Sequence, residues 1–405
     1  MQDNPETTKP KKPLKPNPFI SGFIGFGLGM IVYFGISTFI LNKSGSNAIN
    51  TQLLSKVESI IKQKYDGEVD IEKMAEGAAA GAVAALGDPY TTYLDTKANK
   101  ELSDDLKGEL TGIGIEVGRK NGKLSVIAPI DGTPADKAGL KAGDYIASID
   151  GVDSSTLTVD EAVNKIRGEK GTDVKLLIVR GTNSPKEITI TRDVINVPSV
   201  SYEMKPGSIG YIKIRRFGED TAGLVRKAGE SLKAQGAKAI VLDLRDNPGG
   251  YLESSVEVAS EFMNQGLVVE ERSSKSKTKV HNATSGGVLT EIPVVVLINN
   301  GSASASEILA GALADNGRAV LVGEKSYGKG SVQEVICLNG NSLFSSSCDG
   351  PTIKVTIAHW YTPKGINISK EGIRPNVEIK LTDDDFNNDR DPQLQQALEE
   401  ARNKI

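Results

Sequence analysis

The sequence predicts an α+β multidomain chain, and three observations carry that prediction. A run without a charged side chain occupies Phe19 to Leu41. From Leu110 the apolar pattern leaves helical spacing for short alternating runs separated by turns. From about residue 195, strand-like apolar runs alternate with helical stretches, the pattern of repeated β-turn-α crossovers that build a mixed or parallel sheet. At 405 residues the chain has room for two or three domains.

In chain order, residues 1–18 are rich in Pro and Lys and read as a disordered cytoplasmic tail. Residues 19–41 span roughly 34 Å as a helix, enough for a hydrocarbon core of about 30 Å. Lys9, Lys11, Lys12 and Lys15 precede this transmembrane helix and only Lys43 closely follows it. That bias places the N-terminus in the cytoplasm and the rest of the chain outside the cell membrane, with membrane lipid around residues 19–41. A cleaved signal peptide ending near Ser46-Asn47-Ala48 is the alternative, but the apolar run exceeds a signal core. Residues 42–106 form an N-terminal helical region. Ile49, Leu53, Leu54, Val57, Ile60 and Ile61 recur at helical spacing, and a second helix covers Ile71 to Leu86 until Gly87-Asp88-Pro89-Tyr90 breaks it. Such helices can pair subunits in a homodimer or simply pack on the core.

Residues 107–194 hold five or six short strands and two helices, with a hairpin signal at Asn121-Gly122 between alternating runs. This unit resembles a PDZ domain through its Gly-Ile-Gly loop, through Ala138-Gly139-Leu140-Lys141-Ala142-Gly143-Asp144 and through Ile149-Asp150-Gly151. The resemblance implies binding of a peptide as an added strand, with Thr111, Gly112, Ile113 and Gly114 cupping its carboxylate. Arg167, at the end of the second helix, is a candidate partner for a carboxylate or for the core. Residues 195–385 carry the alternating crossovers, and residues 386–405 are a helical tail.

The net charge of −4 argues against nucleic acid as a partner, since phosphate binding wants a clustered basic surface. Two Cys and two His at these spacings build no zinc-type site, and no metal or other cofactor is expected. Cys337 and Cys348 flank the polar segment Leu338 to Ser347 between two strand-like runs. They either close a hairpin as a disulfide, which an extracytoplasmic location allows, or remain unpaired thiols.

Chemistry gathers in Gly301-Ser302-Ala303-Ser304-Ala305-Ser306-Glu307 and in Gly328-Lys329-Gly330-Ser331-Val332-Gln333. A serine hydroxyl needs a base to become a nucleophile. His281 lies in a polar stretch, residues 273–290, read as a loop, and His359 lies in a strand-like run, so a histidine triad is poorly supported. A lysine serves instead if burial lowers its pKa. Ser304 opens a helix, where unpaired amides and the macrodipole favour negative charge, which makes the Ala305 N–H an oxyanion donor; Gly249 or Gly250 is the second. Taken singly, Ser304 reads as a helix cap and Gly-Lys-Gly as a solvated turn. The segment Gly323 to Ser331 lacks the glycine spacing of a phosphate loop.

These segments are joined by Asp243-Leu244-Arg245 leading into Asn247-Pro248-Gly249-Gly250, by Tyr361-Thr362-Pro363, by Gly372-Ile373-Arg374-Pro375 and by Asp88-Pro89-Tyr90-Thr91. Together they resemble the carboxyl-terminal processing peptidases (tail-specific proteases), from about Ile60 to Leu381. The resemblance implies a mixed α/β (ClpP/crotonase-like) serine protease core, with Ser304 as nucleophile, Lys329 as base and Gln333 orienting the lysine. Ser302 and Ser306 become supports. Tyr327, Asn376 and the insertion between Cys337 and Cys348 depart from the family's usual pattern without touching these three residues. The implied activity is a membrane-anchored serine endopeptidase acting on protein or peptide substrates with accessible C-termini. A catalytically silent PDZ scaffold and an esterase-like hydrolase are the rival readings.

Overall fold

The structure, a computed structural model, describes residues 51–130, 132–181, 183–339, 348–388 and 390–405. The expected tail 1–18 and membrane-spanning run 19–41 lie outside the described residues. Among the described residues no helix is long and apolar enough to cross a membrane. The chain divides into two compact units, residues 1–75 and 76–405. In the first, α1 (Thr51–Lys64) buries no residue, and Leu53, Leu54, Val57 and Ile60 stand exposed on it. The helix α2 (Ile71–Ala84) runs across the boundary between the units.

In the second unit, β1 (Thr92–Leu94) and α3 (Thr96–Lys107) lead to β2 (Glu109–Gly112). Asp95 caps α3 through the Ala98 N–H, and Gly108 ends it in a left-handed turn. A small β-rich domain follows, comprising β3 (Ile115–Lys120), β4 (Lys123–Pro129), α4 (Pro134–Lys137), β5 (Tyr145–Ile149), β6 (Val152–Asp153), α5 (Val159–Ile166), β7 (Asp173–Val179) and β8 (Lys186–Thr191). Alternation in β7 buries Val174, Leu176 and Ile178 against Leu124, Ile146 and Ala162. Asn121 and Gly122 both take positive φ, 53° and 73°, and join β3 to β4. The chain returns as β9 (Asp193–Asn196), which pairs antiparallel with β2 from Glu109↔Asn196 to Gly112↔Asp193. Both connections of the domain therefore leave through one ribbon. At its root the Arg216 guanidinium donates to the carbonyls of Val197 (2.6 Å) and Lys107 (3.1 Å).

The larger domain is built on a six-stranded sheet ordered β10-β11-β12-β15-β16-β19. These strands are β10 (Val200–Lys205), β11 (Ile209–Ile214), β12 (Ala239–Asp243), β15 (Val294–Ile298), β16 (Ala319–Gly323) and β19 (Val377–Glu378). Only β10 is antiparallel to its neighbour. The crossover helices α6 (Thr221–Ala234), α7 (Leu252–Phe262) and α8 (Ala305–Asp315) cover one face, where Val225, Phe262 and Leu309 pack with Ile240, Leu242 and Val296. The intervening residues Ala239, Val241, Val295 and Leu297 point the other way, against Ala397 and Ala401 of the C-terminal helix α10 (Pro392–Arg402), which follows the short helix α9 (Asp383–Asn387). Strands buried on both faces are continuous apolar runs, which is why Val294–Ile298 reads as unbroken Val, Leu and Ile.

A second sheet places β18 (Thr352–Tyr361) between β13 (Leu267–Arg272) and β17 (Ser331–Cys337), with β1 also on β18 and β14 (Lys279–Asn282) on β13. This corrects the reading of residues 273–290 as loop, because His281 sits in β14 and its Nε2 is 2.6 Å from Glu271 of β13. The segment's polarity hid the strand, since it lies at a sheet edge with only one partner. Cys337 and Cys348 are bonded, with 5.8 Å between their Cα atoms. The side chain of Asn99 in α3 donates to the Cys348 and Gly350 carbonyls, which seats the helix on this hairpin.

Candidate active site

In open α/β sheets reactive groups collect beyond the carboxyl ends of the parallel strands. Here β12 and β15 are adjacent, and the turns that leave them carry Gly249-Gly250 and Ser304. Asn247, fully buried, ties three segments together. Its Nδ2 donates to the Ile214 carbonyl at the end of β11, and its Oδ1 accepts the Gly249 N–H. Its own carbonyl accepts from the Ala303 N–H (3.0 Å) and the Ser306 hydroxyl (2.9 Å). Ser302 also turns inward, its hydroxyl donating to the Leu244 carbonyl at 2.7 Å. Ser302 and Ser306 are thus fully buried braces of the turn.

Ser304 is half-buried and held at φ 54°, ψ −116°, a backbone conformation costly for any residue with a Cβ. Its neighbours over-determine it. A Cβ at Gly249 would lie 2.8 Å from the Ser304 Cβ and 2.9 Å from the Ala305 nitrogen, so glycine is required for this approach. Among the described residues, neither the Ala305 N–H nor the Gly250 N–H finds an acceptor. The expected donor role of Gly249 is corrected, because its N–H already serves Asn247; Gly249 supplies space, and Gly250 keeps the free amide.

Lys329 stands just before β17. Its N–H donates to Glu307 (3.0 Å) and its carbonyl accepts the Trp360 indole N–H (2.8 Å), so the backbone is pinned on both sides. Its ammonium lies 5.5 Å from the centre of the Tyr90 ring. Burial, with a lesser push from the Lys354 charge and against the pull of Glu307, lowers its pKa to about 8. Among the described residues no hydrogen bond joins Ser304 Oγ to Lys329 Nζ. Nor does Gln333 reach the lysine, since its Nε2 donates to Ser331 Oγ (2.8 Å) and Thr356 Oγ1 (3.2 Å). The Thr356 N–H in turn donates to Thr91 Oγ1, whose hydroxyl donates to Asp88. The Asp88-Pro89-Tyr90-Thr91 turn therefore lines this site.

Glu307 and Asn247 were not assigned roles from the sequence. A serine followed three residues later by glutamate marks a helix start, and this signal was available for Glu307. An asparagine two residues before a glycine marks the turn at Asn247.

In the small domain, Ile113 and Gly114 form the turn between β2 and β3, and Thr111 and Gly112 belong to the ribbon itself. They border a cavity of about 100 Å³ that Ile115, Val117, Val163 and Ile166 also line. Arg167 packs over Gly112 and faces Asp105 of α3 at 3.4 Å.

Residues 208–379 match the model of peptidase family S41, residues 101–179 that of the PDZ domain, and residues 40–98 that of the activating protease CtpB N-terminal domain. The chain is 40% identical over 326 residues to the carboxy-terminal-processing protease of Bartonella bacilliformis, covering 79% of this chain and 73% of that one. It belongs to the carboxy-terminal processing proteases. Identity to CtpA of Bacillus subtilis is 38% over 351 residues (86% and 73% covered) and to CtpB of the same organism 37% over 382 residues (90% and 77%). The photosystem II D1 C-terminal processing protease shares the fold at a TM-score of 0.52 with 28% identity, over 81% of this chain and 86% of that one. A family S41 protease structure from Bacteroides fragilis, 18% identical, shares the fold at 0.59 over 86% and 97% of the two chains. The protein is a carboxy-terminal processing protease with a PDZ domain, a serine-type endopeptidase.

Proposed function

We propose that this carboxy-terminal processing protease is anchored in the cell membrane by residues 19–41 and cuts C-terminal regions of extracytoplasmic proteins with a Ser304/Lys329 dyad. The observation that carries the reading is the pairing of a strained serine at a helix start with a buried lysine whose pKa lies at about 8. In the reaction, neutral Lys329 takes the Ser304 proton as Oγ attacks the peptide carbonyl. The N–H groups of Ala305 and Gly250 receive the developing oxyanion. The lysine ammonium returns the proton to the departing amine, and water then hydrolyses the acyl-enzyme with the same base. Lys329 must swing from Tyr90 toward Ser304 for this, and its pinned backbone leaves the side chain as the moving part. Gln333 takes up the lysine once it leaves Thr356.

The apolar cavity beside Ile113 and Gly114 suits a small aliphatic side chain at a substrate's C-terminus, with the turn amides facing its carboxylate. The exposed apolar stripe of α1 supports pairing with a second copy. Ser304→Ala and Lys329→Ala should each abolish cleavage of an unfolded labelled casein while leaving the melting curve in place; residual turnover by either variant removes the dyad. Membrane fractionation with external proteinase digestion tests the anchor, and a soluble or internally protected catalytic domain overturns it.

A further inference from the structure

We infer that Glu307 is the positioning residue that holds nucleophile and base in register, through one buried carboxylate that bridges the two catalytic loops. The inference rests on the reading of Ser304 and Lys329 as the dyad.

The Glu307 side chain is fully buried at the third position of α8. Its Oε2 accepts the N–H of Ser304 at 2.9 Å and the N–H of Lys329 at 3.0 Å. Its Oε1 accepts the Ser326 hydroxyl at 2.6 Å and the Gly328 N–H at 2.7 Å. Reaching back to the amide of the residue that caps its own helix is ordinary capping. The other three bonds are not, because they hold a loop from the far side of β16. Two donors on each oxygen fill the acceptor capacity of a carboxylate: three are backbone N–H groups, which can only donate, and the fourth is the Ser326 hydroxyl, which itself accepts the Ile373 N–H. The donor set therefore calls for the ionised form, while burial pushes the carboxyl's pKa upward against these donors.

Two consequences follow for the dyad. Ser304 sits at φ 54°, and the bond to its N–H is one of the restraints that keep it there. The Glu307 charge also acts on the Lys329 ammonium, favouring protonation, opposed by Lys354 of β18 and by desolvation. Among the described residues, the other titratable groups at this corner are the hydroxyls of Tyr90 and Tyr327 and the carboxylate of Asp88.

The test compares Glu307→Gln and Glu307→Asp in the full-length protein, with cleavage of unfolded labelled casein followed as a function of pH. A glutamine places an NH2 where two donors already point. Glu307→Gln should lose kcat by about 100-fold with KM within about twofold, and the acid limb of its kcat/KM profile should move to lower pH. Glu307→Asp keeps the charge and loses the span, so kcat should fall at least tenfold with the acid limb in place. If Glu307→Gln does not fold, Glu307→Asp decides alone. A kcat within threefold of wild type in either folded variant overturns the inference, and so does an unmoved acid limb in Glu307→Gln, which leaves a helix cap only. Activity remaining in Ser304→Ala or Lys329→Ala would instead sink the dyad reading.

Discussion

In the proposed dyad, Lys329 works under two opposed demands. It must be buried enough to lose its proton near neutrality and loose enough to travel between Tyr90 and Ser304. With a pKa of about 8, about one lysine in ten is neutral at pH 7, so kcat/KM should rise nearly tenfold per pH unit below that point and level off above it. A flat profile between pH 6 and 9 would exclude Lys329 as the base. Lys329→Arg should be inactive throughout, because a guanidinium does not deprotonate in this range. Gln333→Glu should move the rise to higher pH, since a carboxylate near the lysine holds it charged. Gly249→Ala should lose activity by 100-fold or more, as its Cβ would meet the Ala303 carbonyl oxygen at 2.8 Å and φ is 104°. Near-normal turnover in that variant would mean the turn can retreat and that its closeness to Ser304 is dispensable.

Among the elements, the C-terminal helix α10 is fastened to the catalytic sheet by a buried ionic cluster. Arg245 forks onto Asp243 at the end of β12 and reaches Asp391 (2.9 Å) and Gln393 (3.1 Å) at the start of α10. The Tyr211 hydroxyl donates to Asp243 at 2.6 Å. Asp243 is fully buried, and although burial opposes it, the Arg245 guanidinium and its other donors hold its carboxyl below the usual range. That contribution is present above the unfolded-state pKa and is lost as pH falls through the lower folded value. Arg245→Met leaves the carboxylate unpaired and should cost about 3–5 kcal/mol in urea unfolding at pH 7, with a smaller loss at strongly acidic pH. An equal cost at both pH values would assign the effect to packing of the arginine stem.

These elements were legible in the sequence to different depths. The apolar strands Ala239–Asp243 and Val294–Ile298 announce themselves, because burial on both faces leaves no polar alternation to confuse the pattern. The Ser304 and Lys329 segments stand out through spacing and small neighbours. What spacing cannot express is where a side chain ends up once distant strands pair. Gln333 bonds Thr356 because β17 and β18 pair with a register shift beside it, and Tyr90 reaches Lys329 because β1 lies on the same strand. The ribbon of β2 and β9 joins residues separated by a whole domain, so no local pattern marks it.

At the scale of the molecule, the PDZ domain is an insertion whose two chain connections share one ribbon, with further contacts from Arg167 to Asp105 and from the Asn121 N–H to Asn387 Oδ1. If it governs access to the site, replacing residues 108–193 by a short linker should raise basal cleavage of unstructured peptides or abolish their stimulation by added C-terminal tails. If the deleted enzyme folds and only its KM rises, with turnover at saturation unchanged, the domain is a tether. Arg167→Ala separates the two further, because its partner Asp105 belongs to the helix that leads into the ribbon. A gate should shift its open fraction, whereas a tether should lose affinity alone.

The ribbon also decides what kinds of force can pass through it. Sliding one strand past the other would break the ladder and turn Leu110 and Ile195 to the opposite face, so shear is resisted strongly. Tilting the pair as a unit breaks none of those bonds. Torque carried by the ribbon meets the core at Lys107 and Val197, where one guanidinium grips both carbonyls. Arg216 is therefore the side chain that fastens both strands of the ribbon at its root.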